Sequence, residues 1–196
     1  MPWEKQFDIE ATLEKAGEAF WARGYEATSL RDLLEAMGIQ KGSFYNTYGS
    51  KHEIYLKALE QYTNARLEEF KTLTSERGAL ESLKVLFDAL VEDCLSPTGH
   101  RGCMVINCAL EVAHEDEEAR AIVQRSIGRH EGLMRDLIEA GQQAGEIGLH
   151  LDAAATAKAM MAIVMGMRVY SRSGSDPSAV HVLAEQAMAL VAPPTI

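Results

Sequence analysis

Cysteine is scarce in this chain of 196 residues: Cys94, Cys103 and Cys108 are odd in number and widely spaced. That excludes a disulfide scaffold and suits a reducing cytoplasm. Long apolar runs are missing as well. None reaches the roughly 20 residues that a membrane span requires. The opening Met1-Pro-Trp-Glu-Lys-Gln-Phe lacks a cationic stretch followed by an apolar one, so no export signal is expected. Positive charge is in short supply, with 19 Lys and Arg against 29 Asp and Glu and a net charge of −10. At first sight that balance opposes a polyanionic partner, which demands local positive potential. What is present is ordinary for a soluble globular protein: 47% hydrophobic and 24% charged residues, enough for one domain or a small and a medium one.

Signatures of catalysis are also wanting. No glycine-rich phosphate loop and no nucleophile elbow occurs. The six histidines and three cysteines form no recognised metal spacing, since His100, Cys103, Cys108 and His114 lack a CxxC or HxxxH arrangement. The chain is therefore expected not to be an enzyme and to need no cofactor or metal. No internal repeat, low-complexity tract or flexible linker interrupts it.

The pattern that remains is helical throughout, with no convincing alternation of period two. Asp8 is placed to cap a first helix whose Ile9, Leu13, Ala16 and Phe20 share a face and which ends near Gly24. Thr28 or Ser29 caps a second helix that Gly38 stops in the left-handed conformation. A two-turn third helix spans about 40–47. After Gly49, Ser50 caps a long fourth helix, with Glu53 close to capping-box position and Ile54, Ala58, Leu59, Tyr62 and Phe70 along it, to about residue 72. Five more helices are expected near 78–95, 103–113, 115–144, 152–172 and 177–191. The loops 96–102 and 145–148 separate the first from the second and the third from the fourth of these. Gly128 and Gly132, costly inside a helix at roughly 1 kcal/mol each, predict a bend or close crossing in the seventh.

The most informative stretch is Thr28-Ser-Leu-Arg-Asp-Leu-Leu-Glu-Ala-Met-Gly-Ile-Gln-Lys-Gly-Ser-Phe-Tyr-Asn-Thr-Tyr-Gly-Ser-Lys51. Leu30, Leu33, Leu34, Met37, Ile39 and Phe44 are spaced to pack two short helices across a turn at Gly38. Lys41, Ser43, Tyr45, Asn46, Tyr48 and Lys51 are left to point outward. Amide, hydroxyl and cationic tips on a rigid helix are what base edges and phosphates require. From Ala36 to His52 there is no acidic residue, so this face is locally basic on an acidic body, and screening over about 8–10 Å makes the local balance decisive.

This run, with the helix before it and Lys51-His-Glu-Ile-Tyr-Leu after it, resembles the TetR/AcrR family of transcriptional regulators over about the first 65 residues. The resemblance implies an all-α fold of about nine helices. A three-helix helix-turn-helix DNA-binding domain (1–50) is followed by a connecting fourth helix (51–75) and a larger C-terminal effector-binding and dimerisation domain (76–196). By the same resemblance, Lys41, Gly42, Ser43 and Asn46 approach base edges or adjacent phosphates, and Thr28, Tyr45, Tyr48 and Lys51 clamp the DNA backbone. Before the first helix, where relatives often carry a basic arm, only Lys5 is cationic. Few cations imply few phosphate contacts, so dimerisation is needed for useful affinity. Two recognition helices about one duplex turn (~34 Å) apart predict a palindromic operator.

The implied partners are double-stranded operator DNA, a second copy of the chain and an effector, with no membrane. The helices from Asp152 and Pro177, rich in small residues such as Ala153, Ala154, Ala157, Ala162, Gly166, Ala184 and Ala187, are the expected dimer interface. Two sensing modes stay open. The segment Gly102-Cys-Met-Val-Ile-Asn-Cys resembles a subgroup whose loop–helix begins Gly-Cys and which includes sensors of electrophiles and oxidants. Cys103 at a helix start, after His100 and Arg101, suits a reactive thiol. Alternatively, Phe87, Met104, Met134, Met161 and Met165, with Asn107 and Glu111 as polar contacts, line a pocket for an apolar small molecule. The expected function is a cytoplasmic repressor released by such an effector. The alternatives are a redox- or electrophile-responsive repressor acting through Cys103 and a helical protein that binds no DNA.

Overall fold

A computed structural model describes residues 7–174 and 176–192; the segment holding Lys5 lies outside them. Among the described residues the secondary structure is helical, without strands. The order is α1 (Ile9–Arg23), α2 (Leu30–Met37), α3 (Lys41–Tyr48), α4 (Lys51–Thr74), α5 (Ala79–Leu95), a 3-10 turn (Gly99–Arg101), α6 (Met104–Glu111), α7 (Glu117–Gln143), α8 (Ala153–Ser173) and α9 (Ser178–Ala189). No helix among them is long and apolar enough to cross a membrane.

The residues divide into two compact units. One comprises the chain through Asn64 together with Cys103–Val123; the other comprises Ala65–Gly102 and the residues from Gln124 onward. The boundaries fall inside α4, between Gly102 and Cys103 just before α6, and inside α7. The expected C-terminal domain (76–196) thus contributes to both units, with α6 and the first turns of α7 clustering with the N-terminal helices.

In the first unit the helix ends are set by local chemistry. The Asp8 carboxylate accepts from the amides of Glu10 and Ala11, starting α1. Thr12, Ala16 and Phe20, four residues apart, form its buried face, whereas Ile9 stays exposed. Ser29, rather than Thr28, caps α2, and Asp32 returns the bond in a complete capping box. Gly38 ends α2 at φ 67°, ψ 30°, a conformation that a Cβ disfavours. The Ser50 hydroxyl accepts from the Glu53 amide at the start of α4. Buried Phe20, Leu33, Met37, Phe44, Ile54 and Leu59 close the core; Tyr25 stacks on Phe20, and Tyr55 meets Phe20 edge-on and Tyr25 at a tilt.

The second unit is built on aliphatic and thioether packing. Leu83, Phe87, Ile138, Met160, Met167, Val180 and Ala187 are buried in one cluster. Polar ties fix its rim. Arg168 pairs with Asp93, Arg172 donates to the Arg101 carbonyl at 2.6 Å, and the Ser171 hydroxyl lies 2.7 and 2.9 Å from the carbonyls of Cys94 and Gly99. A Cβ on Gly99 would sit 2.1 Å from the Cys94 carbonyl oxygen, so only glycine closes this loop. α7 runs as one uninterrupted helix through Gly128 and Gly132, where a bend or close crossing was expected, and no other described part of this chain comes within 4 Å of a Cβ built at either position.

Candidate nucleic-acid interface

The third helix is anchored by one pair of side chains and leaves others in solvent. Phe44 and Tyr48, one turn apart, are buried. Lys41 and Tyr45, and Gly42 and Asn46, are likewise one turn apart and exposed, with Ser43 half-exposed. The helix therefore presents an ammonium, a phenol, a carboxamide and a bare glycine backbone from a backbone that its own core holds still. A carboxamide can pair with adenine and an ammonium with guanine in the major groove. The Lys41 ammonium lies 6.0 Å from the Tyr45 ring.

Two residues expected to touch the DNA backbone do not face solvent. Tyr48 is buried; its hydroxyl donates to the Ile9 carbonyl at 3.0 Å and is closely bonded to the Thr12 hydroxyl. Burial raises its pKa, so it remains a neutral structural hydrogen-bonder. Thr28 is fully buried, and its hydroxyl donates to the Gly24 carbonyl at 2.6 Å. Both hydroxyls are taken by partners, distant in sequence for Tyr48 and in the preceding turn for Thr28.

Lys51, half-buried at the start of α4, carries its ammonium 4.3 Å from the centre of the Tyr25 ring. That distance is a cation–π contact that holds the charge without neutralising it. Tyr25 was not singled out from the sequence, because it sits in the turn after α1 and its partner is 26 positions on. His52, the next residue, is bonded to the Asp116 carboxylate at 2.5 Å, and Asp116 also accepts from the amides of Glu118 and Ala119 to cap α7. Burial alone would raise the Asp116 pKa; the Ala119 amide and the His52 imidazole outweigh it and hold the carboxyl below its ordinary value.

The residues proposed for sensing fall into both units. Cys103, Met104, Asn107 and Glu111 belong to the first, whereas Phe87, Met134, Met161 and Met165 belong to the second. Phe87 and Met134 are buried in the second unit's core, with Met161 packed against it and Met165 half-buried. Met104 is buried. Glu111 has a different role from the expected pocket contact: its two oxygens accept from the amides of Tyr25 and Glu26 at 3.1 and 2.9 Å. Cys103 is the half-exposed cap residue of α6, while Cys94 and Cys108 are buried and burial raises the pKa of both thiols. Among the described residues, no three His, Cys, Asp or Glu side chains are grouped to hold a metal ion.

Comparison with known proteins bears on this surface directly. Residues 13–58 match the model of bacterial regulatory proteins of the tetR family, and residues 79–187 match that of the tetracyclin repressor-like C-terminal domain. The HTH-type transcriptional regulator YezE of Bacillus subtilis is 31% identical over 156 residues, 79% of this chain and 80% of its own. The HTH-type transcriptional repressor ComR of Escherichia coli is 28% identical over 88% of this chain and 83% of its own. Among solved structures, the regulator CifR, a cysteine mutant bound to 26-bp operator DNA, superposes with a TM-score of 0.84 at 26% identity, covering 94% of this chain and 97% of that one. Reduced NemR of Escherichia coli shares the fold at a TM-score of 0.85 and 19% identity, over 95% and 98% of the two chains.

Proposed function

Because the chain belongs to the TetR family of transcriptional regulators and is a DNA-binding transcription factor rather than an enzyme, we propose that it is a cytoplasmic repressor that binds a palindromic operator as a homodimer and leaves it when an effector binds. One observation carries the DNA-reading part. Lys41, Gly42, Ser43, Tyr45 and Asn46 are solvent-facing on a helix whose Phe44 and Tyr48 are locked in the core. A protein-docking surface would favour apolar anchors instead.

The dimer is assigned to α8 and α9. Val169, Tyr170 and Val182 are 47%, 45% and 52% exposed there, beside exposed Ala154 and Ala162 and half-exposed Gly166. Ala153, Ala157, Ala184 and Ala187 are buried within the chain and drop out of the expected interface. Release follows a population shift, in which the effector favours a state whose recognition helices no longer match adjacent major grooves.

Cys103 supports a second sensing mode. It is the half-exposed thiol, and both other thiols are buried and held protonated, which makes them poor resolving partners. A direct adduct with an electrophile fits this arrangement better than an internal disulfide. The test is capture of sheared host genomic DNA at about 150 mM salt, with and without peroxide or an electrophile such as N-ethylmaleimide. A few palindromic fragments establish the regulator, and no enrichment overturns it. Loss of those fragments on treatment, absent in Cys103→Ser, assigns the thiol as sensor; fragments retained by the treated wild type leave the reversible pocket.

A further inference from the structure

The carboxylate of Glu111 stands at the C-terminal end of α6, where the helix dipole disfavours an anion. Both of its oxygens nevertheless serve the turn between α1 and α2. Oε1 accepts from the Glu26 amide at 2.9 Å and Oε2 from the Tyr25 amide at 3.1 Å, a two-point charge-assisted clamp across more than eighty residues. The site is shaped for it. Gly24 turns the chain at φ 91°, and a Cβ there would lie 2.8 Å from Oε2. The clamped residue is the one whose ring carries the Lys51 ammonium, 4.3 Å above its centre, and that ring packs on Tyr55 at 4.6 Å.

We propose that Glu111 is a positioning residue for DNA binding: by holding the Tyr25–Glu26 turn it sets the ring on which Lys51 rests, and so aims that cation at the phosphate backbone. The proposal rests on the operator-binding reading above. It also gives α6 a defined output. Glu111 lies at the opposite end of α6 from Met104, about 10 Å along the helix, and a shift of this helix withdraws the clamp from both amides at once.

Glu111→Ala, Glu111→Gln, Lys51→Gln and the Glu111→Ala/Lys51→Gln double variant test it, with the duplexes recovered from genomic capture as probes and amide hydrogen exchange as the structural readout. In Glu111→Ala the Tyr25 and Glu26 amides exchange faster, binding weakens about tenfold, and the slope of log affinity against log salt falls by about 0.9 per protomer, as it does in Lys51→Gln. The double variant binds no more weakly than Lys51→Gln alone, because both changes remove one contact. Glu111→Gln keeps one accepting oxygen and falls between; it carries the test if Glu111→Ala unfolds. Fast-exchanging amides with wild-type affinity and slope, or losses that simply add in the double variant, overturn the proposal while the operator reading stands. A wild-type chain that retains no duplex removes the operator reading and the proposal with it.

Discussion

The two units solve the same problem, closing a helical core, with different materials. The first uses rings and directed bonds: Phe20, Tyr25, Tyr55, Phe44 and Tyr48 make ring contacts, and Tyr48, Thr28 and Glu111 bond to distant or non-helical backbone. The second uses Met134, Met160, Met167 and aliphatic side chains, with most of its directed side-chain bonds at the rim and few within, such as that from the Cys94 thiol to the Met167 carbonyl. Rings and buried hydroxyls admit one arrangement, because a misplaced hydroxyl is left unsatisfied at a cost of about 1–3 kcal/mol. Unbranched thioethers repack at small cost. A surface that must match a rigid duplex is built on the specified core. The adaptable core is built largely from residues within 79–187, the stretch that matches the tetracyclin repressor-like C-terminal domain.

The difference is broken most severely by Phe44→Ala. Phe44 is fully buried under the recognition helix, so its truncation costs about 3–5 kcal/mol in thermal or denaturant unfolding and abolishes DNA binding with it. Retention of both would show that α3 is not held by this core. Asn46→Ala separates reading from folding. The residue is exposed, so the melting temperature stays within error while operator affinity falls by about 1–3 kcal/mol at a sequence-specific position. An equal loss on random duplex would demote Asn46 to a backbone contact.

Legibility followed the range of the interaction. The helix ends were readable because Asp8, Ser29, Gly38 and Ser50 act on amides and carbonyls within a few residues. The exposed set on α3 was readable because four-residue spacing separates Lys41, Gly42, Tyr45 and Asn46 from Phe44. Spacing leaves Tyr48 free and the family resemblance alone places Thr28 at the DNA; Thr12, 36 residues from Tyr48, and the backbone of the α1–α2 turn claim their hydroxyls. Glu111 read as a pocket residue for the same reason, its amide partners being 85 and 86 residues distant. No local pattern carries such pairings, and none indicated that α6 would pack with the N-terminal helices.

The capping box of α2 offers a milder perturbation of the first unit. Hydrogen bonds from the Ser29 hydroxyl and amide, with help from the Arg23 guanidinium, hold the Asp32 carboxyl down at about 2. A carboxyl depressed on folding adds stability above its unfolded pKa and loses it as pH falls through the folded one. The cap's contribution is therefore complete near neutrality and disappears between about pH 4 and pH 2, and carbon-detected titration should find Asp32 ionising near the lower limit. Ser29→Ala removes the box and costs about 1 kcal/mol at neutral pH. Asp32 then titrates closer to an ordinary carboxyl; an unchanged titration would mean that the Ser29 amide and Arg23, not the hydroxyl, set it.

The smallest effect is expected where the second unit is most tolerant. Met161 packs half-buried against the core cluster, and Met161→Leu conserves volume and stays apolar, so the loss is under about 1.5 kcal/mol. Leucine nevertheless removes one rotatable bond and the polarisable sulfur. If the methionines of this unit serve only as filler, thermal stability and the range of small molecules that raise it are both unchanged. If they provide adaptability, stability is unchanged while the set of stabilising compounds narrows, which a thermal-shift screen of one apolar compound library against both proteins resolves. A large destabilisation would instead show that this core is as sharply specified as the first, and the contrast between the two units would fail.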